Sequence, residues 1–217
     1  MKKHYFAIIL LLLSFTVNGQ IKKQSIVLGG QLYYYNSKNK VDTFKSAYNA
    51  SNISISAGKA YKENKIIGIT IGFTPINQSN FFNYGDTTNL TYNRFTIGAF
   101  YREYKKLAKD FYFFTQVDAG FSTVNQTENL RSTSGNIKAT QRGGSISLTP
   151  GVSYNILKKM QLEITIPNII NFQYLVTKFN SQVPQVKSST QEEFLFYSNF
   201  TNNTGLGFLG VGFRFIL

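Results

Sequence analysis

The amino-acid sequence predicts an all-β fold, an eight-stranded antiparallel up-and-down transmembrane β-barrel. Three observations carry that expectation. Apolar residues recur with a period of two along most of the 217 residues, no stretch beyond the N-terminus is apolar for long enough to form a spanning helix, and short charged turns alternate with long polar connections. Composition agrees: 20 Phe and 14 Tyr stand beside 4 Pro and no Trp or Cys, a balance that favours strands over helix or disorder.

The N-terminus is read as a leader before any strand is counted. Lys2 and Lys3 are followed by an uncharged apolar run from Tyr5 to Phe15, then by Val17, Asn18 and Gly19 ahead of Gln20, the three parts of a signal peptide. The apolar run is too short for a bilayer core of roughly 30 Å. The expected organisation is therefore a signal peptide over 1–19 and one barrel domain over 20–217. Cleavage would remove Lys2, Lys3 and the single histidine, His4, and take the formal charge from +13 to +11.

The strands follow in order. The first, over 25–35, sets Ile26, Leu28, Leu32 and Tyr34 on one face. In the second, over 52–58, Ile53, Ile55 and Ala57 alternate with Asn52, Ser54, Ser56 and Gly58. The third, over 67–74, places Ile67, Ile69, Ile71 and Phe73 against Gly68, Thr70, Gly72 and Thr74. The charged segment 61–65 between the last two has the length of a tight hairpin. Phe95, Ile97, Ala99 and Tyr101 form the fourth strand, then Phe111, Phe113, Val117, Ala119 and Phe121 the fifth after a turn over 105–110. Ile146, Leu148, Val152 and Tyr154 form the sixth, and Leu162, Ile164 and Ile166 the seventh after a turn at 157–159. The eighth, over 205–217, carries Leu209, Val211, Phe213, Phe215 and Leu217.

The other connections, over 36–49, 75–91, 123–142 and 173–193, are expected to be long polar loops at the outer rim. The even strand count puts both termini at the short-turn, periplasmic rim. Residue size predicts which face meets lipid. The polar face is dominated by Gly, Ser and Thr, which suit a narrow lumen, whereas the other face is large and aromatic. Ile53, Ile55, Ile67, Ile69, Ile71, Val117, Leu162, Ile164, Val211 and Phe213 are expected to face lipid. Arg94, Arg102, Asp118, Glu163 and Arg214 fall on the lumen face by parity and are expected to pair there, with Arg102, Glu163 and Arg214 clustered near the short-turn rim. A soluble lipocalin-like binder keeps the same strand count with the apolar face turned inward.

The segments NISISAGKAYKENKIIGITIGF (52–73), FTIGAFYREYKKLAKDFYFFTQVDAGF (95–121), SISLTPGVSYNILKKMQLEITI (145–166) and the terminal GLGFLGVGFRFIL resemble the outer-membrane β-barrel domain family common in Bacteroidetes. The resemblance covers most strands and implies a small barrel of the OmpX or OmpW kind. It implies a fold and no particular job. Barrels of that kind often end in an aromatic residue, whereas this chain ends in Leu217 with Phe215 two positions earlier.

Catalytic chemistry has little to work with. Without Cys or a mature His, a thiolate nucleophile and a histidine-assisted serine are both excluded, and Ser145 and Ser153 have no obvious base. Asp42, Asp86, Glu192 and Glu193 lack the converging oxygens of a calcium site. Gly29-Gly30 and Gly143-Gly144 lack the pattern of a phosphate loop and read as close-packed strand positions. No enzyme, cofactor, metal or nucleic-acid partner is expected. The expected location is the outer membrane, with lipid and lipopolysaccharide as surroundings, the barrel-assembly machinery as a partner in biogenesis, and a surface or envelope protein as a possible further partner. Tyr48, Phe81, Phe82, Tyr84, Lys178, Phe179 and Lys187 are the candidate surface contacts. A small-solute channel and an accessory subunit of a secretion or assembly machine are the rival roles.

Overall fold

Alternation dictates the architecture. Every strand segment that can hide one face and expose the other pairs antiparallel with its neighbour. The computed structural model describes residues 21–41, 44–81, 87–130, 135–181, 188–198 and 209–217. Its strands are β1 (Ile26–Val41), β2 (Phe44–Lys62), β3 (Lys65–Phe81), β4 (Thr87–Lys106), β5 (Phe111–Leu130), β6 (Gly135–Leu157), β7 (Met160–Thr165), β8 (Ile170–Ser181), β9 (Ser189–Ser198) and β10 (Gly210–Ile216). Successive hairpins run from β1 to β6, β7 pairs with the lower part of β6, and β10 lies between β7 and β1. Those eight close a ring through the β1–β10 pairing over Val27–Leu32, so each strand of the lower wall has a neighbour on both sides.

Ten segments are described because the seventh wall strand is interrupted and the last stretch carries two strands, β9 and β10. Pro167 supplies no N–H to a ladder and Asn168 takes a left-handed φ of 53°, so regular pairing stops after Thr165 and resumes at Ile170. The neighbouring strand bridges the break: Ile166 N–H donates to the Pro150 carbonyl at 3.0 Å and Ile169 N–H to the Leu148 carbonyl at 2.8 Å. β8 then pairs with the upper part of β6, and β9 with β8.

The outward face is apolar in a continuous belt. Ile53, Ile55, Ile69 and Val211 are 55%, 62%, 57% and 47% exposed, and their strand neighbours alternate with them into the interior. A band of this extent in water would be an aggregation surface. The reverse arrangement, a dry apolar centre of the lipocalin kind, is not what the chain adopts.

Two expectations are corrected. First, the four long connections are largely strand. β1 reaches Val41, β2 starts at Phe44, and β3 with β4 pair out to Phe81 and Thr87. Second, the lumen is not filled by small residues throughout. At the short-turn end it holds Val27, Ile66, Phe100, Tyr104, Tyr112 and Phe114, all 4% exposed or less, with Ile21 packed beneath them. The glycines expected as lumen packing make room for these rings. A Cβ on Gly68 would stand 2.6 Å from Phe100 Cε1, and one on Gly151 2.4 Å from Phe114 Cζ.

Candidate functional site

The site is the lumen, and its floor is an ion cluster. β4 turns Arg102 and Tyr104 inward, β5 Phe114, Gln116 and Asp118, β7 Glu163 and β10 Arg214. Because β4 and β7 are separated by two strands around the ring, their side chains meet across the lumen. Arg102 Nη1 lies 2.6 Å from Glu163 Oε1, and Arg214 Nε 2.8 Å from the same oxygen. The Tyr104 hydroxyl donates to Oε1 at 3.1 Å. Phe114 presents its ring face to the Arg102 guanidinium, whose Cζ is 4.0 Å from the ring centroid. Glu163, Arg102 and Arg214 are 4%, 3% and 4% exposed, so the carboxylate is surrounded by donors and withdrawn from water. The carboxylate is thus shared by two guanidinium groups, and its hydrogen bonds offset the cost of burying these charges.

From this floor a polar chain runs upward. Arg102 Nε donates to Gln116 Oε1 at 2.7 Å, and Gln116 Nε2 donates to Asp118 Oδ1 at 2.7 Å. Above it is a cavity of about 170 Å³ walled by Gln31, Asn52, Thr70, Asp118, Asn171 and Arg94 among others. Gln31 and Thr165 hydrogen-bond at its side. A second space of about 340 Å³, lined by Tyr48, Gln78, Tyr92, Gln126 and Gln141, shares Arg94 with the first. Arg94 is thus the neck between two polar chambers.

Among the residues singled out from sequence, Arg102, Glu163 and Arg214 come together at the short-turn end. Arg94 and Asp118 do not join them: neither forms an ion pair among the described residues. Ile53, Ile55, Ile67, Ile69, Ile71, Val117, Ile164, Val211 and Phe213 lie exposed on the outer face, and Leu162 lies half-buried between strands. Asp42, Asp86, Phe82, Tyr84, Lys187 and the leader lie outside the described residues. Tyr48 faces the upper chamber rather than the surroundings, whereas Lys178 is exposed. Glu192 accepts the Tyr174 hydroxyl at 2.8 Å. Among the described residues no group of three or more His, Cys, Asp or Glu is placed to hold a metal ion.

The apolar plug was missed as a feature of the lumen. A signal was present: Ile66-Ile67 and the run from Phe111 to Phe114 are apolar on both faces next to short turns, which a wet lumen does not require.

Ring closure, an outward apolar belt and an inward ion cluster define an eight-stranded barrel of the transmembrane class. Solved structures share that fold. OprG, an outer membrane protein of Pseudomonas aeruginosa, superposes with a TM-score of 0.55 at 10% identity, covering 91% of this chain and 99% of its own. The translocator domain of the autotransporter NalP from Neisseria meningitidis gives 0.45 at 12% identity, and this chain spans 66% of its length, with 90% of this chain covered. Neisserial surface protein A gives 0.42 at 13% identity over 88% of this chain and 96% of that one. No protein-family model and no curated protein sequence matches the chain.

Proposed function

We propose that the chain is a non-enzymatic integral outer-membrane protein, exported on a cleaved leader, that serves envelope structure and surface contact. The observation that carries this reading is the unbroken outward belt of large apolar side chains around a lumen sealed at one end by the plug. Side chains that fill the lumen disfavour a through-channel. Above the belt the wall continues as paired strands, and outward positions of β1, β2, β6 and β8 carry the exposed cations Lys38, Lys40, Lys45, Lys138, Arg142 and Lys178. These cations suit the phosphorylated headgroups of lipopolysaccharide, and they support surface contact through a paired-strand wall rather than through long loops.

Cell fractionation tests the location: the protein is expected with the outer membrane, detergent-extractable and heat-modifiable on gels, and recovery in a soluble fraction would contradict the reading. For the role, a deletion strain is expected to show altered envelope permeability or adhesion. Planar bilayers containing the purified barrel are expected to show no stable open conductance. A steady open pore would favour the small-solute channel instead.

A further inference from the structure

We infer that the chamber between the ion-cluster floor and Arg94 binds a small hydroxylated carboxylate, with Arg94 taking the carboxylate. The inference goes beyond the envelope role and does not depend on it.

Charge supplies the first ground. Around the floor and the chamber, the cations Arg94, Arg102 and Arg214 stand against the anions Glu163 and Asp118, which leaves one positive charge in excess. Arg94 shares the chamber wall with Asp118 and forms no ion pair among the described residues. Its Nε is buried with no hydrogen-bond partner. Glu193, which the β8–β9 register turns inward opposite Leu175, accepts the amide of Gln191. A buried N–H without an acceptor is costly, and a planar carboxylate matches the donor fork of a guanidinium.

Unspent polar groups in the same cavity supply the second ground. Asn171 is 3% exposed and its Oδ1 has no partner; Thr70 is half-buried, and its hydroxyl oxygen has no partner either. Both line the chamber with Arg94. One buried acceptor, Asn171 Oδ1, and one hydroxyl that can donate or accept, beside the unmatched Arg94 Nε–H, call for a ligand that brings a hydroxyl donor together with its negative charge. A carboxylate alone leaves Asn171 Oδ1 unsatisfied, and a neutral polyol brings no charge to Arg94. The cavity of about 170 Å³ has room for a ligand of that class. The apolar plug beneath closes the short-turn side, so the solute enters from the upper chamber.

The test is an NMR titration of the full-length mature barrel, ¹⁵N-labelled and folded in detergent micelles. The arginine Nε–Hε signals are followed with sodium D-glycerate, and with sodium acetate, sodium chloride and glycerol at matched concentration. Glycerate is expected to shift one arginine signal saturably, acetate to shift it more weakly, and chloride and glycerol not to saturate it. The signal is assigned by its disappearance in Arg94→Lys. Asn171→Ala is expected to weaken glycerate about fivefold, the worth of one hydrogen bond, and to leave acetate unchanged. Arg94→Gln is expected to abolish the saturable shift while retaining heat-modifiable migration. A linear drift with glycerate equal to that with chloride overturns the assignment in the wild-type protein alone. So does a saturable shift that survives in Arg94→Gln, or equal responses to glycerate and glycerol.

Discussion

Glu163 is the residue on which the lumen turns. It is the single carboxylate between Arg102 and Arg214, and it also takes the hydroxyl of Tyr104. Glu163→Gln leaves two buried guanidinium groups short of a counter-charge, and breaking a buried pair in this way costs about 3–5 kcal/mol. Urea unfolding from detergent micelles or lipid vesicles reads that loss. Replacing all three charged residues with Met or Leu of similar volume is expected to cost much less, because no charge is then left alone. The glycines beneath the rings make a second prediction at this scale. A Cβ at Gly68 meets the Ala57 carbonyl oxygen at 2.3 Å as well as Phe100, so Gly68→Ala forces backbone or ring to move. The expected loss is about 1–3 kcal/mol in the same unfolding measurement, as for other overpacked sites.

The strands show what a period of two reveals and where it stops. The outward positions of β2, β3, β5 and β10 were legible because a large apolar residue alternates with a small or polar one, and the structure exposes those residues. The upper halves of β1 to β6 read as loops because both faces there are largely polar, whereas β8 and β9 do carry outward Phe172, Tyr174, Phe194 and Phe196. A wall that stands in water on its outside and holds a wet lumen has no apolar face to alternate. The seventh strand hid its continuation behind Pro167. The pairing of Arg102, Glu163 and Arg214 was legible from parity and distance to the turns. The isolation of Arg94 and Asp118 was not, since parity gives a face and not a partner.

At the short-turn rim, beyond the apolar belt, β3 and β4 are tied by Lys65 Nζ and Glu103 Oε1 at 3.0 Å. The hydrogen bond from Lys65, then that from Tyr101, holds the Glu103 carboxyl below its ordinary value, and the Glu103 bond raises Lys65. The carboxylate's contribution is present above the unfolded value of about 4.3 and disappears as pH falls through the lower folded value. That of Lys65 is present below about 10.4 and disappears as pH rises through its raised folded value. Glu103→Gln is therefore expected to differ from wild type in unfolding midpoint at neutral pH, by a small and salt-sensitive amount, and to converge with it in strong acid. A difference that persists undiminished below both carboxylate values would show that the pair is not its source.

For the whole molecule, inside and outside have exchanged their usual solvents. Large aliphatic and aromatic side chains cover the exterior, while the interior passes from an apolar plug through an ion cluster to polar chambers. Closure makes this arrangement possible, because a ring of eight strands satisfies its own backbone and needs no edge partner. The most direct test uses the absence of native Trp. Val117→Trp and Phe100→Trp place single indoles beside each other along the wall, since Tyr101 pairs with Val117, but on opposite faces. In vesicles of brominated lipid, Val117→Trp fluorescence is expected to be strongly quenched and Phe100→Trp to be protected. Quenching at position 100 with protection at position 117 would mean that the barrel is turned inside out relative to this account.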